Sequence, residues 1–162
     1  MTDMIRLEPM ESKDIEELTP IMKRAFDEDS RIHLGREEGG PPGYDDGSFL
    51  RKWGLESKTT SFKIYLEEKL MGGVILWINS DRHNFLGVIF LDPGAQNKGA
   101  GTKVWNMIEE MYPDTLTWNT ETPIFSQRNH NFYINKCGFH CVKIGNPMNI
   151  EDGQFVLQKV MK

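Results

Sequence analysis

A helix is predicted near the start of the chain. The alternation of Ile5 and Leu7 first indicates a short strand, and Ser12 then has the side chain of a helix N-cap, with Asp14 in the first turn. The apolar positions that follow fall at i, i+3, i+7, i+10 and i+11, on one face of a helix: Ile15, Leu18, Met22, Ala25 and Phe26.

Residues 30–47 follow neither a helical nor a strand period. Glycine and proline are frequent there, as in Gly39-Gly40-Pro41-Pro42-Gly43, so the segment is predicted to be a loop. A loop of this length inside a domain usually serves a site, which makes it a candidate lid over a substrate. A mobile insertion without a role is the alternative. A short helix is predicted after it, over Phe49 to Leu55.

Strand patterns dominate the middle of the chain. Ser61 to Glu68 and Leu70 to Asn79 are β-rich runs separated by little more than Lys69, which predicts a tight hairpin. Gly72-Gly73 in the second run indicates a bulge or a close backbone approach. The run from Phe85 to Leu91 is apolar without alternation, as in a central strand buried on both faces.

The C-terminal third alternates helices and strands. A helix is predicted from about Gly99 to Met111, a short strand over Leu116 to Asn119, and a second helix from Ser126 to about Cys137, ended by Gly138. His140 to Ile144 and Gln154 to Val160 are predicted to be the closing strands.

Composition narrows the class of protein. The chain has 162 residues, 19 Lys+Arg and 24 Asp+Glu, a net charge of −5, which predicts one domain spanning 1–162 and no nucleic-acid partner. No apolar run reaches the ~18 residues of a membrane span, and the N-terminus lacks a signal-peptide pattern, so we expect a cytoplasmic protein without a membrane partner. Cys137 and Cys141 bracket His140, but no further ligands are placed beside them, so no metal site is predicted.

The segment from Leu91 to Thr102 is the most informative. It joins the most apolar strand to a helix start through the small residues Gly99, Ala100 and Gly101, and consecutive amides at a helix N-terminus bind phosphate. Lys98 can add positive charge. The spacing fails both the Walker A pattern and the G-x-G-x-x-G dinucleotide pattern. The residues therefore predict a pyrophosphate site, with a tight turn that binds nothing as the alternative.

The chain resembles the GNAT acetyltransferase superfamily in two motifs. Gln96-Asn97-Lys98-Gly99-Ala100-Gly101 is similar to the family's [Q/R]-x-x-G-x-[G/A] loop, and Lys136-Cys137-Gly138-Phe139 is similar to its K-x-G-F ending of the last helix. The order of elements is also similar over nearly the whole chain. The resemblance implies an α/β (α+β) domain with a central, mixed, mostly antiparallel twisted sheet flanked by helices, whose fourth and fifth strands splay apart.

The resemblance also implies acetyl-CoA as cosubstrate, with its pantetheine arm held between those two strands. The backbone of Ile89 and Leu91 would bind the arm, and the motif beginning at Gln96 would bind the pyrophosphate through the amides from Asn97 to Thr102. Asn119 and Asn129 would lie within reach of the pantetheine or the acetyl end.

The catalytic residues match the family less well. The family's proton donor is a Tyr two residues before the Lys of K-x-G-F, where this chain has Ile134; Tyr133 stands one residue earlier and can replace it only if the helix is rotated or bulged there. The central strand has no carboxylate, so Glu121 is the first candidate base, ahead of His83 and Glu67.

The resemblance predicts an N-acetyltransferase that acts on a primary amine of a small molecule or peptide by direct attack. The alternative is a GNAT-like acyl-CoA-binding regulatory or interaction domain with little catalysis. Seven acids are assigned to the irregular segment and would favour a cationic acceptor if that segment folds over the acceptor site: Asp27, Glu28, Asp29, Glu37, Glu38, Asp45 and Asp46. A homodimer is left open by Phe49 and Trp53, two aromatic candidates for a partner surface.

Overall fold

Seven strands form one sheet in the order β1-β2-β3-β4-β5-β7-β6. The computed structural model describes residues 4–96 and 99–161. The strands are β1 (Ile5–Pro9), β2 (Thr60–Leu66), β3 (Lys69–Trp77), β4 (His83–Leu91), β5 (Thr117–Pro123), β6 (His140–Gly145) and β7 (Gln154–Val160).

Four helices pack on the sheet. They are α1 (Ile15–Leu34), α2 (Ser48–Leu50, continued as a π-helical segment over Arg51–Glu56), α3 (Ala100–Met111) and α4 (Gln127–His130, continued as a π-helical segment over Asn131–Lys136). Buried side chains of α1 and α2 share one apolar cluster with Ile75 and Phe90 of the sheet. Those of α3 and α4 share a second cluster with Trp118 and Leu157. The helices therefore cover both faces of the sheet, as a sheet with apolar residues on both faces requires.

The fourth and fifth strands separate halfway along their length. β4 and β5 are parallel and pair only at His83–Phe85 with Thr117–Asn119, whereas all other neighbouring strands are antiparallel. Beyond Phe85 and Asn119 the two strands run on without pairing. The predicted mixed sheet with splayed central strands is confirmed.

A bulge in β4 lies just past this branch point. The pairing with β3 shifts between Leu86 and Val88, which leaves Gly87 as the extra residue. A Cβ on Gly87 would lie 2.5 Å from the ring of Trp77, so the ring occupies the space that a side chain at 87 would need.

The structure corrects several boundaries. α1 continues to Leu34 and ends at Gly35, whose φ of 68° provides the left-handed C-cap, so the irregular segment begins five residues later than predicted. The hairpin turns at Glu67 and Glu68, both with positive φ, rather than at Lys69. β5 extends to Pro123 and includes Glu121, which the sequence placed beyond the strand. No helix among the described residues is long and apolar enough to cross a membrane.

Candidate active site

A cavity of about 450 Å³ lies where the two central strands separate. Its walls come from α1, the end of β4, the start of α3 and the whole of α4. The lining residues are Ala25, Phe26, Asp29, Ile89, Phe90, Leu91, Gln96, Gly99, Gly101, Thr102, Arg128, Asn129, Asn131, Phe132, Tyr133 and Lys136. Most of the residues predicted to bind a cofactor are therefore brought together here.

The edge of β4 that faces this cavity carries backbone groups without a strand partner. The carbonyl of Phe90 points at Gly72 of β3, where a Cβ would lie 2.0 Å from it, and the N–H of Asp92 also bonds to β3, at Met71. Since backbone groups alternate between the two edges of a strand, those of Ile89 and Leu91 point toward the gap. The side chain of Gln96 donates to the Leu91 carbonyl at 2.9 Å. Among the described residues this leaves the N–H groups of Ile89 and Leu91 and the carbonyl of Ile89 for a ligand.

The first turn of α3 presents free amides to the same cavity. The first helical hydrogen bond there is from the Lys103 N–H to the Gly99 carbonyl, and no side chain caps the helix. Within residues 4–96 and 99–161, the N–H groups of Ala100, Gly101 and Thr102 therefore have no partner at the positive end of this 12-residue helix. Gly99 turns the chain into the helix with a φ of 79°, a conformation that favours glycine.

Two residues of the predicted phosphate loop, Asn97 and Lys98, lie outside the described residues. Ala100 is buried in the core beneath the loop, so it contributes its amide rather than its side chain. Gly101 packs closely on α4, since a Cβ there would lie 3.0 Å from the ring of Phe132. Glycine at 101 thus lets the start of α3 and the wall of α4 meet at the cavity.

The bulge that would bring Tyr133 into the place of the family tyrosine is present. Residues Asn131–Lys136 are π-helical, and the Cys137 N–H bonds five residues back to the Phe132 carbonyl at 3.0 Å. A π-helical turn takes up one extra residue. Tyr133 consequently lines the cavity, whereas Ile134 packs against the core cluster beneath α3.

The Tyr133 side chain is almost enclosed, with 6% of the residue exposed. Among the described residues its hydroxyl makes no hydrogen bond, and it is not one of the fully buried unpaired atoms, so it opens into the cavity. Burial raises the pKa of this phenol well above its ordinary value, and the nearby Cys137 and Asp29 add to the effect. The hydroxyl therefore stays protonated at neutral pH.

Glu121 is not one of the residues that line the cavity. It is exposed on β5, paired with Val156 of β7. Because Phe85 is level with Asn119 in the parallel register, Glu121 is level with Gly87, the bulged position without a side chain. A role for Glu121 as base stays a prediction.

The weaker candidates lie elsewhere. His83 bonds to Thr117 at 2.8 Å at the paired end of β4, and Glu67 is in the β2–β3 turn. Asn119 is occupied within the sheet, donating to the Asn84 carbonyl and accepting from Gln158, and it does not line the cavity, whereas Asn129 does.

Most of the seven clustered acids have partners inside the protein. Asp27, Glu28 and Asp29 belong to α1 rather than to the loop. Asp27 accepts from Lys23 at 2.6 Å and from Tyr44 at 2.5 Å; burial acts to raise its pKa, but these bonds hold it below its ordinary value. These acids therefore stabilise α1 and the following loop, and Asp29 is the one of the seven that lines the cavity.

Sequence reasoning missed Arg128, which lines the cavity and forms an ion pair with Glu28 at 3.0 Å. Its position in the first turn of α4, two residues after the predicted cap Ser126, was a usable signal because a cation is unfavourable at that end of a helix unless it has a partner. The cap itself is confirmed, with Ser126 accepting from the Asn129 N–H at 3.3 Å.

Comparisons with known proteins agree with this geometry. The model of the acetyltransferase (GNAT) family matches residues 15–139. Among curated proteins, the uncharacterized protein YrkN of Bacillus subtilis (strain 168) is 44% identical over 86 residues, which cover 52% of this chain and 46% of that protein. The match thus spans a little under half the length of that relative.

Solved structures show the same fold at low identity. An acetyltransferase from Thermus thermophilus superposes with a TM-score of 0.75 at 15% identity, covering 96% of both chains. PaiA N-acetyltransferase from Thermoplasma acidophilum, in complex with coenzyme A, gives 0.70 at 15%, covering 97% of this chain and 99% of that one. Spermidine N-acetyltransferase from Vibrio cholerae, with CoA and spermine, gives 0.70 at 14%, covering 97% and 95%.

Proposed function

Since the chain belongs to the GNAT acetyltransferase family, we propose that it transfers the acetyl group of acetyl-CoA to a primary amine of a small molecule or peptide by direct attack. One observation carries the proposal: the unpaired edge of β4 and the open amides of α3 face the same cavity. A thioester of CoA combines an amide-rich arm with a pyrophosphate, and the two features match these two parts in order.

In this proposal the pantetheine arm lies along β4 like an added strand. The free backbone groups of Ile89 and Leu91 bind its amides, and Asn129 contacts it from α4. The pyrophosphate lies on the amides of Ala100, Gly101 and Thr102, with Asn97 and Lys98 completing the loop. Solved relatives contain CoA, which supports this choice of ligand.

The chemistry needs a proton acceptor more than a proton donor. An alkylamine with a pKa of about 10.4 costs roughly 4–5 kcal/mol to deprotonate at pH 7. A thiol with a pKa of about 8.5 leaves as thiolate at a cost of only about 2 kcal/mol. We assign Tyr133 as the donor to the leaving thiolate and Glu121 as the group that removes the amine proton through water.

A covalent enzyme intermediate is not part of the proposal. Cys137 is the thiol nearest the cavity, but it is buried, and burial raises its pKa to about 12. A thiol in that state is a poor nucleophile at neutral pH. The acetyl group therefore passes directly from sulfur to nitrogen.

Two measurements test the proposal. Calorimetric titration with acetyl-CoA is expected to give saturable binding, and release of free CoA thiol is expected to depend on added amine across a panel of primary amines. The absence of binding at millimolar acetyl-CoA would contradict the site. Binding without turnover on any amine would favour the second candidate, an acyl-CoA-binding regulatory domain. The absence of a carboxylate at Gly87 is the observation that supports this alternative.

A further inference from the structure

A buried charged cluster joins α1 to α4 at the cavity wall. It consists of Glu28, Asp29 and His33 on α1 with Ser126 and Arg128 at the start of α4. A hydrogen bond from Ser126 to Asp29, two ion pairs of Arg128 and a 3.5 Å contact between His33 and Asp29 hold it together. Burying charged groups is costly unless they are paired. Asp29 is the central member, with only 7% of the residue exposed.

The two oxygens of Asp29 are in different environments. Ser126 Oγ donates to Oδ1 at 3.0 Å, and His33 Nε2 and Arg128 also approach Oδ1 most closely, each at 3.5 Å. Among residues 4–96 and 99–161 no hydrogen bond reaches Oδ2, nor is it one of the fully buried unpaired atoms. Because Asp29 lines the cavity, Oδ2 is the oxygen available to a ligand.

The charges of the cluster do not cancel. His33 Nε2 lies 3.4 Å from the Arg128 backbone N–H. Two carboxylates, Glu28 and Asp29, share the single guanidinium of Arg128. One negative charge is left over at a wall of the cavity.

Tyr133 places this charge at the reacting end of the site. Its hydroxyl opens into the same cavity without a hydrogen bond among the described residues, and Asp29 is close enough for its charge to act on the phenol. The Tyr133 hydroxyl and Oδ2 of Asp29 have no hydrogen bond among the described residues, and both residues are nine-tenths buried and line the same cavity.

We propose that Oδ2 of Asp29 binds the ammonium group of the acceptor and holds its nitrogen beside the thioester. This rests on the proposed function. The bound ammonium loses one proton to water and keeps an N–H on Oδ2; the nitrogen lone pair then attacks the carbonyl carbon and the C–S bond breaks. The nitrogen gives its second proton to water to become the neutral amide, and the thiolate takes a proton from Tyr133, which solvent replaces. The substrate class is a cationic alkylamine, and amines that carry a carboxylate next to the nitrogen are disfavoured.

Binding to the CoA complex tests the assignment without turnover. The wild-type protein saturated with CoA is titrated calorimetrically with n-butylammonium chloride and with its neutral counterpart, n-pentanol. In Asp29→Asn, which keeps the acceptor for Ser126, the affinity for butylammonium is expected to fall roughly tenfold or more, as for a lost charge-assisted hydrogen bond. Affinities for pentanol and CoA are expected to stay within twofold.

Two further variants separate recognition from structure. Glu37→Gln removes the same charge from an exposed loop position and is expected to leave butylammonium binding unchanged. Ser126→Ala removes the hydrogen bond to Oδ1 but not the charge, and is expected to lose less than Asp29→Asn. An equal or larger loss in Ser126→Ala would overturn the proposal in favour of a structural role.

Different results would contradict the role of Asp29 and the proposed function on which it rests. If CoA does not bind to the wild-type protein, the proposed function is wrong. If CoA binds and amines are acetylated, but Asp29→Asn changes neither butylammonium affinity nor the KM for the amine, only the role of Asp29 is wrong.

Discussion

Replacing Tyr133 by Phe removes one hydroxyl from the cavity and little else. The hydroxyl has no hydrogen bond among the described residues, and the ring keeps its packing against Phe132 and Phe139. The free energy of unfolding is therefore expected to change by less than about 0.5 kcal/mol. Any loss of activity then reports on chemistry.

The size of the loss follows from the leaving group. Without a donor the thiol must leave as thiolate. Because pH 7 lies about 1.5 units below a thiol pKa of about 8.5, forming the thiolate costs about 2 kcal/mol at 1.36 kcal/mol per unit. The kcat of Tyr133→Phe is therefore expected to fall by up to about 30-fold at pH 7. Burial keeps the wild-type phenol protonated through neutral and mildly alkaline pH, so the deficit is expected to be about the same across this range.

The assay is amine-dependent thiol release at saturating acetyl-CoA and amine, from pH 6.5 to 9, for wild type, Tyr133→Phe and Ile134→Leu. Ile134 packs in the core and does not line the cavity, so its conservative variant is expected to retain the wild-type kcat and pH profile. An unchanged kcat in Tyr133→Phe, or a larger deficit in the Ile134 variant, would refute the assignment.

Three other changes have defined outcomes. Gly101→Val places carbon atoms where a single Cβ would already lie 3.0 Å from a ring, so the calorimetric affinity for CoA is expected to fall about tenfold or more. Gly94→Ala, whose Cβ would make only an ordinary 3.7 Å contact with Asp92 Oδ1, is expected to keep the affinity; equal affinities of the two variants would contradict the placement of the pyrophosphate. Glu121→Gln is expected to lower kcat/KM and to remove the acid limb of its pH profile, since only an ionised carboxylate accepts a proton; an unchanged profile would exclude Glu121 as base. Lys63→Ala removes the partner of the buried Asp14, whose carboxylate lies 3.0 Å from the Lys63 ammonium. The free energy of unfolding in urea is therefore expected to fall by roughly 3–5 kcal/mol. A fall of less than about 1 kcal/mol would mean that solvent replaces the lost charge.

Local patterns predicted most of the fold because the strands and helices here are strongly periodic. β7 runs over Gln154–Val160 as the sequence indicates, and the apolar run ending at Leu91 is a central strand. The end of α1 was missed because its last buried positions are the polar Asp29 and Ser30 while the apolar Ile32 is exposed, so apolar periodicity gives no signal there. The same limit hid the end of β5, whose exposed residues alternate with buried threonines rather than with large apolar side chains.

The cofactor side of the site was predictable and the acceptor side was not. Glycines and a helix start are readable in sequence because they act through the backbone, and Gly99 and Gly101 do line the cavity. The position of Tyr133 depends on a π-helical turn that a helical period does not reveal. The sequence grouped Asp29 with the loop acids. Its contact with Ser126 joins residues 97 positions apart, and a local pattern cannot reveal such a contact.

A crystal structure of the protein with CoA bound tests the central claim most directly. The account predicts pantetheine along Ile89 and Leu91, pyrophosphate oxygens on the amides at the start of α3, and the sulfur within hydrogen-bond reach of the Tyr133 hydroxyl. CoA bound elsewhere, or a sulfur facing Ile134 with Tyr133 turned away, would contradict it.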